Sequence, residues 1–173
     1  MCMSSVDVLA AYDALTDRAV IPMLVGASND PALCDATYLP AKMNESEAAQ
    51  WLEERQGRGF VIYLDLQPVG WLEAATVKDA CGFALPERTV ELEIWLLSHA
   101  RGKRLYQVSL LALEERLLAQ GVEYIVSVAW VTNHSSIQAM HRAGFMRLGD
   151  GWWGEETTGG MCTVGLLRLG GGR

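Results

Sequence analysis

Thr89-Val-Glu-Leu-Glu-Ile-Trp-Leu-Leu97, then Ser98-His-Ala-Arg-Gly-Lys-Arg104, then Leu105 to Gln120 follow one another directly, and their reading decides the fold. In the first piece Val90, Leu92 and Ile94 alternate with Glu91, Glu93 and Trp95, the period of a strand. The second is a polar break. In the third, helical spacing puts Leu105, Val108, Leu111 and Leu118 on or near one face and Glu114, Glu115 and Arg116 on the other, with Gly121 suited to the helix end. Glu123-Tyr-Ile-Val-Ser-Val-Ala-Trp130 is β-branched and aromatic, short enough for a central strand. Asn133 or Ser135 suits the cap of a helix running to about His141, and Gly144-Phe145 closes it. Strand, loop, helix, strand and helix in this order predict an α/β (α+β) domain whose remaining segments complete its sheet.

The joint from strand to helix carries the first functional signal. A helix that starts directly after a basic, Gly-containing turn offers free backbone N–H groups and the positive end of its dipole to an anion. A phosphate-bearing ligand fits that description. A solvated loop kept soluble by Arg101, Lys103 and Arg104 fits the same residues.

The run Glu91-Leu-Glu-Ile-Trp-Leu-Leu-Ser-His-Ala-Arg-Gly-Lys-Arg104, with Asn133-His-Ser-Ser136 and Gly144-Phe145, resembles the GNAT superfamily of coenzyme-A-dependent N-acyltransferases. Within it, the likeness is greatest to the ribosomal-protein alanine acetyltransferase branch. There the strand reads Glu-Ile-Gly-Tyr-Trp-Leu, the loop Arg-Gly-x-Gly-x-Ala, and the second helix Asn-x-x-Ser ending in Gly-Phe. The likeness spans roughly Gly59 to Leu169. It implies one domain over residues 1–173, with a mixed, mostly antiparallel twisted sheet of six to seven strands flanked by helices. It also implies acetyl-coenzyme A as acyl donor, no metal, and transfer to the primary amine of a small molecule or a protein N-terminus.

The same resemblance assigns roles. Backbone amides of Arg101, Gly102, Lys103, Arg104, Leu105 and Tyr106 would cradle the coenzyme pyrophosphate. The strand end at Leu96 and Leu97 would pair with the pantetheine arm and present an N–H to the thioester carbonyl. Asn133 would hydrogen-bond the pantetheine chain, with Ser136 in support. Glu91 stands where the related branch often has its strand glutamate, and alternation puts Glu93 on the same face, so either would accept the amine proton, directly or through water. Both also fit a solvated sheet face or pairing with arginine.

Three positions depart from the family pattern. Arg104 stands where the loop usually has glycine, and Tyr106 where it has glycine or alanine, although small residues let backbone approach phosphate closely. Met140 stands where many members carry the tyrosine that protonates the leaving thiolate. The departures motivate one rival, a binding or regulatory domain without catalysis; transfer of a longer acyl or an aminoacyl group is a further alternative.

At 173 residues, half of them hydrophobic and 20% charged, the chain has the composition of an ordinary folded domain. A net charge of −7 argues against a general nucleic-acid surface and favours cationic partners such as amines. No stretch approaches a membrane span or a signal peptide, and Cys2, Cys34, Cys81 and Cys162 show no metal spacing. A reduced cytoplasmic setting, with structural or incidental cysteines, is the expectation.

The flanks read less sharply. Val6 to Val25 suits a short helix leading to an edge strand at Val20–Val25, or two irregular segments, and Ala32 to Leu39 a short helix. Asn44 and Glu47 have capping-box spacing for a helix to about Gln56. Asp30 to Met43 is either the wall of the acceptor pocket or an ordinary connection. Phe60–Leu66 and Val69–Val77 form a hairpin turning at Gln67-Pro68, and Lys78–Arg88 a long turn. Phe145–Leu148 and Met161–Leu169 are the last strands, with an excursion from Gly149 to Gly160 between them. Gly170–Arg173 reads as a loose tail. His99 and His134 flank the expected cleft. Trp152 and Trp153 suit an aromatic wall, packing, or the interface of a homodimer.

Overall fold

The computed structural model describes residues 6–10, 19–154 and 159–170, the first of these as backbone alone. Its strands are β1 (Val6–Ala10), β2 (Gly59–Leu64), β3 (Gln67–Thr76), β4 (Asp79–Ala80), β5 (Phe83–Ala84), β6 (Thr89–Leu96), β7 (Tyr124–Trp130), β8 (Met146–Trp153) and β9 (Gly160–Arg168). Its helices are α1 (Val20–Ser28), α2 (Pro31–Cys34), α3 (Glu45–Glu53), α4 (Leu105–Ala119) and α5 (His134–Arg142). The fold is α+β with a mixed sheet. The chain divides into two compact units, Met1–Glu73 with Glu93–Ala112, and Ala74–Leu92 with Leu113–Arg173.

In the first unit the strand order is β1-β2-β3-β6, and β1, β2 and β3 pair antiparallel. The Leu97 N–H extends the contact to β3 by donating to Val69 O at 2.9 Å. One apolar cluster gathers Val20 and Leu24 of α1, Leu52 of α3 and the indoles of Trp51, Trp71 and Trp95. Trp51 and Trp71 lie 4.7 Å apart between centroids. Over Trp51 sits the Arg55 guanidinium, 4.1 Å from the ring, and Arg55 and Arg58 both reach the buried Glu73 carboxylate at 3.1 and 2.6 Å. Paired in this way, a buried carboxylate is tolerated.

The capping box forms as expected. Asn44 Oδ1 accepts from Glu47 N at 3.0 Å, and Glu47 Oε2 accepts from Asn44 N at 2.8 Å. Other expectations fail for local reasons. Val20–Ser28 is a helix, not an edge strand, because Pro22 falls in its first turn, where the missing N–H would have no helical partner. The edge strand is instead β1. The short helix after Asp30 is only Pro31–Cys34, and the β2–β3 turn falls at Asp65-Leu66, both at positive φ, rather than at Gln67-Pro68.

In the second unit the order is β6-β7-β9-β8. β6 and β7 are parallel, with Thr89, Val90 and Glu91 opposite Tyr124, Ile125 and Val126; β7–β9 and β9–β8 are antiparallel. Where that parallel register ends, the Ser127 hydroxyl donates to Leu92 O at 3.3 Å. The expected long turn 78–88 contains the small hairpin β4–β5, which packs Ala80 with Val126 and Val164. The first part of the expected excursion from Gly149 is strand: β8 continues to Trp153 past a bulge between Arg147 and Gly149.

The buried residues of α4 are Leu105, Ser109, Leu110, Leu113 and Leu117, while Val108, Leu111 and Leu118 are exposed. The expected apolar face is therefore wrong by most of its members. Apolar residues lie all round this helix, so spacing alone does not choose a face. Cys2 and residues 171–173 of the expected tail lie outside the described residues. No described helix is long and apolar enough to cross a membrane.

Candidate active site

In the first unit, β6 runs into a 3-10 turn at Ser98–Ala100 and then the exposed run Arg101–Arg104. Buried Ala100 fixes the turn, its N–H donating to Leu97 O at 2.9 Å. Gly102 and Arg104 sit at φ +76 and +60, in the left-handed region. A Cβ on Gly102 would meet nothing within 4 Å, so that glycine serves the backbone angle and not a close approach. Arg104 adopts the conformation for which glycine is the usual choice, at a cost of roughly 1–2 kcal/mol for a residue with a side chain. The Arg104 side chain is exposed.

α4 starts immediately afterwards. Gln107 N and Val108 N donate to Arg104 O at 3.1 and 3.2 Å, buried Leu105 anchors the first turn, and Tyr106 is half-buried. Of the first four N–H groups, which an α-helix leaves without i−4 acceptors, Gln107 N is satisfied by Arg104 O, so those of Arg104, Leu105 and Tyr106 are the ones a ligand could take.

The strand end is held on two sides. Arg101 Nε donates to Leu96 O at 3.0 Å, tying the basic run back to β6. The Leu97 N–H already has Val69 O as its acceptor. An N–H for a thioester carbonyl is therefore not available from Leu97 as the strand stands.

Glu93 is half-buried, and its Oε1 accepts the Tyr38 N–H at 2.8 Å. This contact joins residues 55 apart and ties β6 to the segment expected to be either acceptor wall or connection. That segment is well braced. Asp30 Oδ1 caps α2 through Ala32 N at 3.0 Å, Thr37 Oγ1 donates to Leu33 O at 2.9 Å, and Ser28 takes Lys42 N and Met43 N at 2.8 and 3.0 Å. Leu33, Leu39 and Met43 join the apolar cluster beneath it.

The second unit carries the remaining expected residues. Half-buried Glu91 sits opposite Val126, at the last position of the β6–β7 register. Asn133 caps α5: Oδ1 accepts from Ser136 N at 3.2 Å and from the Ser135 hydroxyl at 2.9 Å, while Asn133 N donates to Trp130 O at 2.8 Å. With its oxygen so engaged, Asn133 can serve a ligand as a donor through Nδ2. Ser136 is half-buried and gives its N–H to this cap. Met140 is only 4% exposed, with its Cε over Gly165, and so is a core residue. His99, His134 and His141 are all exposed. Trp153 is half-buried, its ring 5.0 Å edge-on from Trp130, and Trp152 is 47% exposed.

Burial, then the nearby Glu91 carboxylate, pushes the Cys81 thiol up, against a lowering contact from Cys162. Burial and then Cys81 push the Cys162 thiol up to about 12. Sequence reasoning missed the Glu93–Tyr38 and Arg101–Leu96 contacts. The first has no local signal, whereas the second had one: an arginine a few residues past a strand end, able to fold back on it.

Residues 14–146 match the family model described as Acetyltransferase (GNAT) domain. No curated protein matches the sequence. Among solved structures, the chain is similar to RimL, the ribosomal L7/L12 alpha-N-protein acetyltransferase in complex with coenzyme A, at 16% identity and TM-score 0.73 over 95% of this chain and 94% of that one. It is similar to the microcin C7 self immunity acetyltransferase MccE, in complex with acetyl-CoA and AMP, at 15% identity and TM-score 0.74 over 95% and 92%. The N-acetyltransferase from Staphylococcus aureus Mu50 follows at 18% identity and TM-score 0.68 over 96% and 99%. These are likenesses of fold. The family model covers well over half of the sequence, from the segment before α1 to the start of β8, and by that match the chain belongs to the GNAT acetyltransferase family.

Proposed function

We propose that this acetyltransferase moves the acetyl group of acetyl-coenzyme A to a primary amine by direct attack in a ternary complex. The observation that carries this reading is the Arg101–Arg104 run, which places two left-handed residues and three cations immediately ahead of a fifteen-residue helix. A pyrophosphate matches that cradle in charge and in its need for backbone donors. Arg101, Gly102, Lys103, Arg104, Leu105 and Tyr106 are the proposed cradle, and the exposed Arg104 side chain adds a guanidinium that can contact phosphate. Leu96 is the strand residue assigned to the pantetheine arm, and Asn133 Nδ2, supported by Ser136, the donor to one of its carbonyls.

Glu91 is the proposed base. The neutral amine nitrogen attacks the thioester carbon, the C–S bond breaks, and the amine proton passes to Glu91 directly or through water. Glu93 positions the Asp35–Leu39 segment through Tyr38 rather than taking the proton. Met140 has no proton to give, and a thiol with an ordinary pKa near ~8.5 leaves as thiolate without an enzyme acid.

A protein N-terminus or a small cationic amine is the proposed acceptor, the former in line with the alanine acetyltransferase branch. The net charge of −7 supports a cationic substrate. Exposed Trp152, opposite exposed Met161, is the surface assigned to homodimerisation, which sedimentation velocity tests. The activity itself is tested by thioester consumption with peptides bearing free α-amines, polyamines and aminoglycosides. One class should gain an acetyl group by mass. Transfer only from a longer acyl donor, or none from any donor, overturns the reading.

A further inference from the structure

We propose that Cys81 and Cys162 form a modification site: a dithiol that closes to an intramolecular disulfide on meeting a low-molecular-weight disulfide. Both lie in the second unit, and each thiol is near enough to the other to shift its titration. The contact is built by the backbone. Gly151 of β8 faces Cys162 of β9 across the ladder, and a Cβ on Gly151 would lie 2.9 Å from Cys81 Cβ and 2.0 Å from Cys81 O. Cys81 therefore occupies the space that any side chain at 151 would fill, on the face that Cys162 shares, since residues directly opposite in a ladder point to the same side.

Cys81 is also a costly choice for its position. It stands in the turn of the β4–β5 hairpin at φ +51, followed by Gly82 at φ +86, where asparagine, aspartate or glycine is the usual first residue. Cysteine gives that turn no backbone advantage; the thiol beside Cys162 is what the position gains.

The chemistry balances as two exchanges. The half-buried Cys81 sulfur, as thiolate, attacks one sulfur of the small disulfide; its S–S bond breaks and a small thiolate leaves, taking up a proton. The buried Cys162 sulfur, deprotonated in turn, attacks Cys81 in the mixed disulfide and expels it as a second small thiol. Two protein thiols are oxidised and one disulfide is reduced. Both thiols are pushed up, so closure is slow at neutral pH and accelerates as pH rises. The product fastens the hairpin to β9 near Glu91.

The test uses the full chain with Cys2→Ser and Cys34→Ser, so that only the pair remains, incubated folded with oxidised glutathione at alkaline pH. Intact mass should show the loss of two hydrogens without a glutathione adduct, reversed by dithiothreitol, and a peptide map should link Cys81 to Cys162. Adding Cys162→Ser should leave a stable glutathione adduct on Cys81. Gly151→Ala, which keeps both thiols but displaces the hairpin, should slow closure by about an order of magnitude. A persistent adduct on the two-thiol protein, an unchanged mass, or undiminished closure in folded Gly151→Ala protein overturns the proposal.

Discussion

Gly70→Ala adds one methyl group, and the structure assigns it an unusual consequence. Gly70 lies in β3 opposite Ile62, beside the end of β6. A Cβ there would sit 2.4 Å from Trp95 O, 2.7 Å from Leu96 Cδ2 and 3.3 Å from Leu96 Cα. The Leu96 methyl can rotate aside, but the Trp95 carbonyl belongs to the backbone, and a carbon–oxygen contact needs about 3.3 Å. The strand end must shift by close to an ångström. Two bonds sit at that spot, Leu97 N to Val69 O and Arg101 Nε to Leu96 O, and both are strained by the shift. Overpacking of this kind costs about 1–3 kcal/mol, which outweighs the roughly 0.5–1 kcal/mol an alanine ordinarily gains over glycine within a strand. A chain of this size loses about 2–4 °C of Tm per kcal/mol, so thermal unfolding should fall by several degrees. Because Leu96 is the residue assigned to the pantetheine arm, kcat/KM for acetyl-coenzyme A should fall as well, by up to ~100-fold for a 1 Å misplacement. Differential scanning calorimetry and steady-state kinetics on the same preparation check both. An unchanged or raised Tm refutes the close-approach argument, and a lowered Tm with unchanged kcat/KM refutes the placement of Leu96 at the donor.

Glu91→Gln should leave acetyl-coenzyme A binding intact and lower kcat by about 10²–10⁴-fold for an acceptor amine near pKa ~10.4, and by less for an α-amine near ~8; kinetics with two acceptors decide this, and equal losses contradict a base role. Met140→Tyr should destabilise by about 1–3 kcal/mol without raising kcat, since the side chain lies over Gly165 in the core; denaturant unfolding measures the cost. Asp150 is held below the usual carboxylate range by Arg147 and by the Thr163 hydroxyl. Its folded value is depressed, so the stability it contributes is present above the unfolded value near ~3.9 and lost as pH falls through the lower folded value. Tm measured against pH should accordingly lose part of its acid limb in Asp150→Asn, and an unaltered acid limb contradicts this.

What was legible in the sequence was local. Asn44 with Glu47 announces one helix start, and of the two candidate caps for α5, Asn133 and Ser135, Asn133 fills the role, because a capping side chain acts within three residues. β6, α4 and β7 follow from periodicity and from glycine at the joints. Facing was not legible where a helix is apolar all round, as in α4, whose exposed Val108, Leu111 and Leu118 look like core residues. Nor were the Gly149 and Gly151 positions, which resemble turn residues in sequence. In the structure they are strand residues, without side chains because Phe83 and Cys81 of the opposing hairpin press against them. The contact of Glu93 with Tyr38 is also long-range. The positive φ of Arg104 likewise appears only in three dimensions.

Isothermal titration of the purified protein with acetyl-coenzyme A and with coenzyme A tests the central claim most directly. Both should bind saturably at one site per chain, more weakly as salt rises, as expected for a pyrophosphate held by Arg101, Lys103 and Arg104. Absence of binding to either would contradict it.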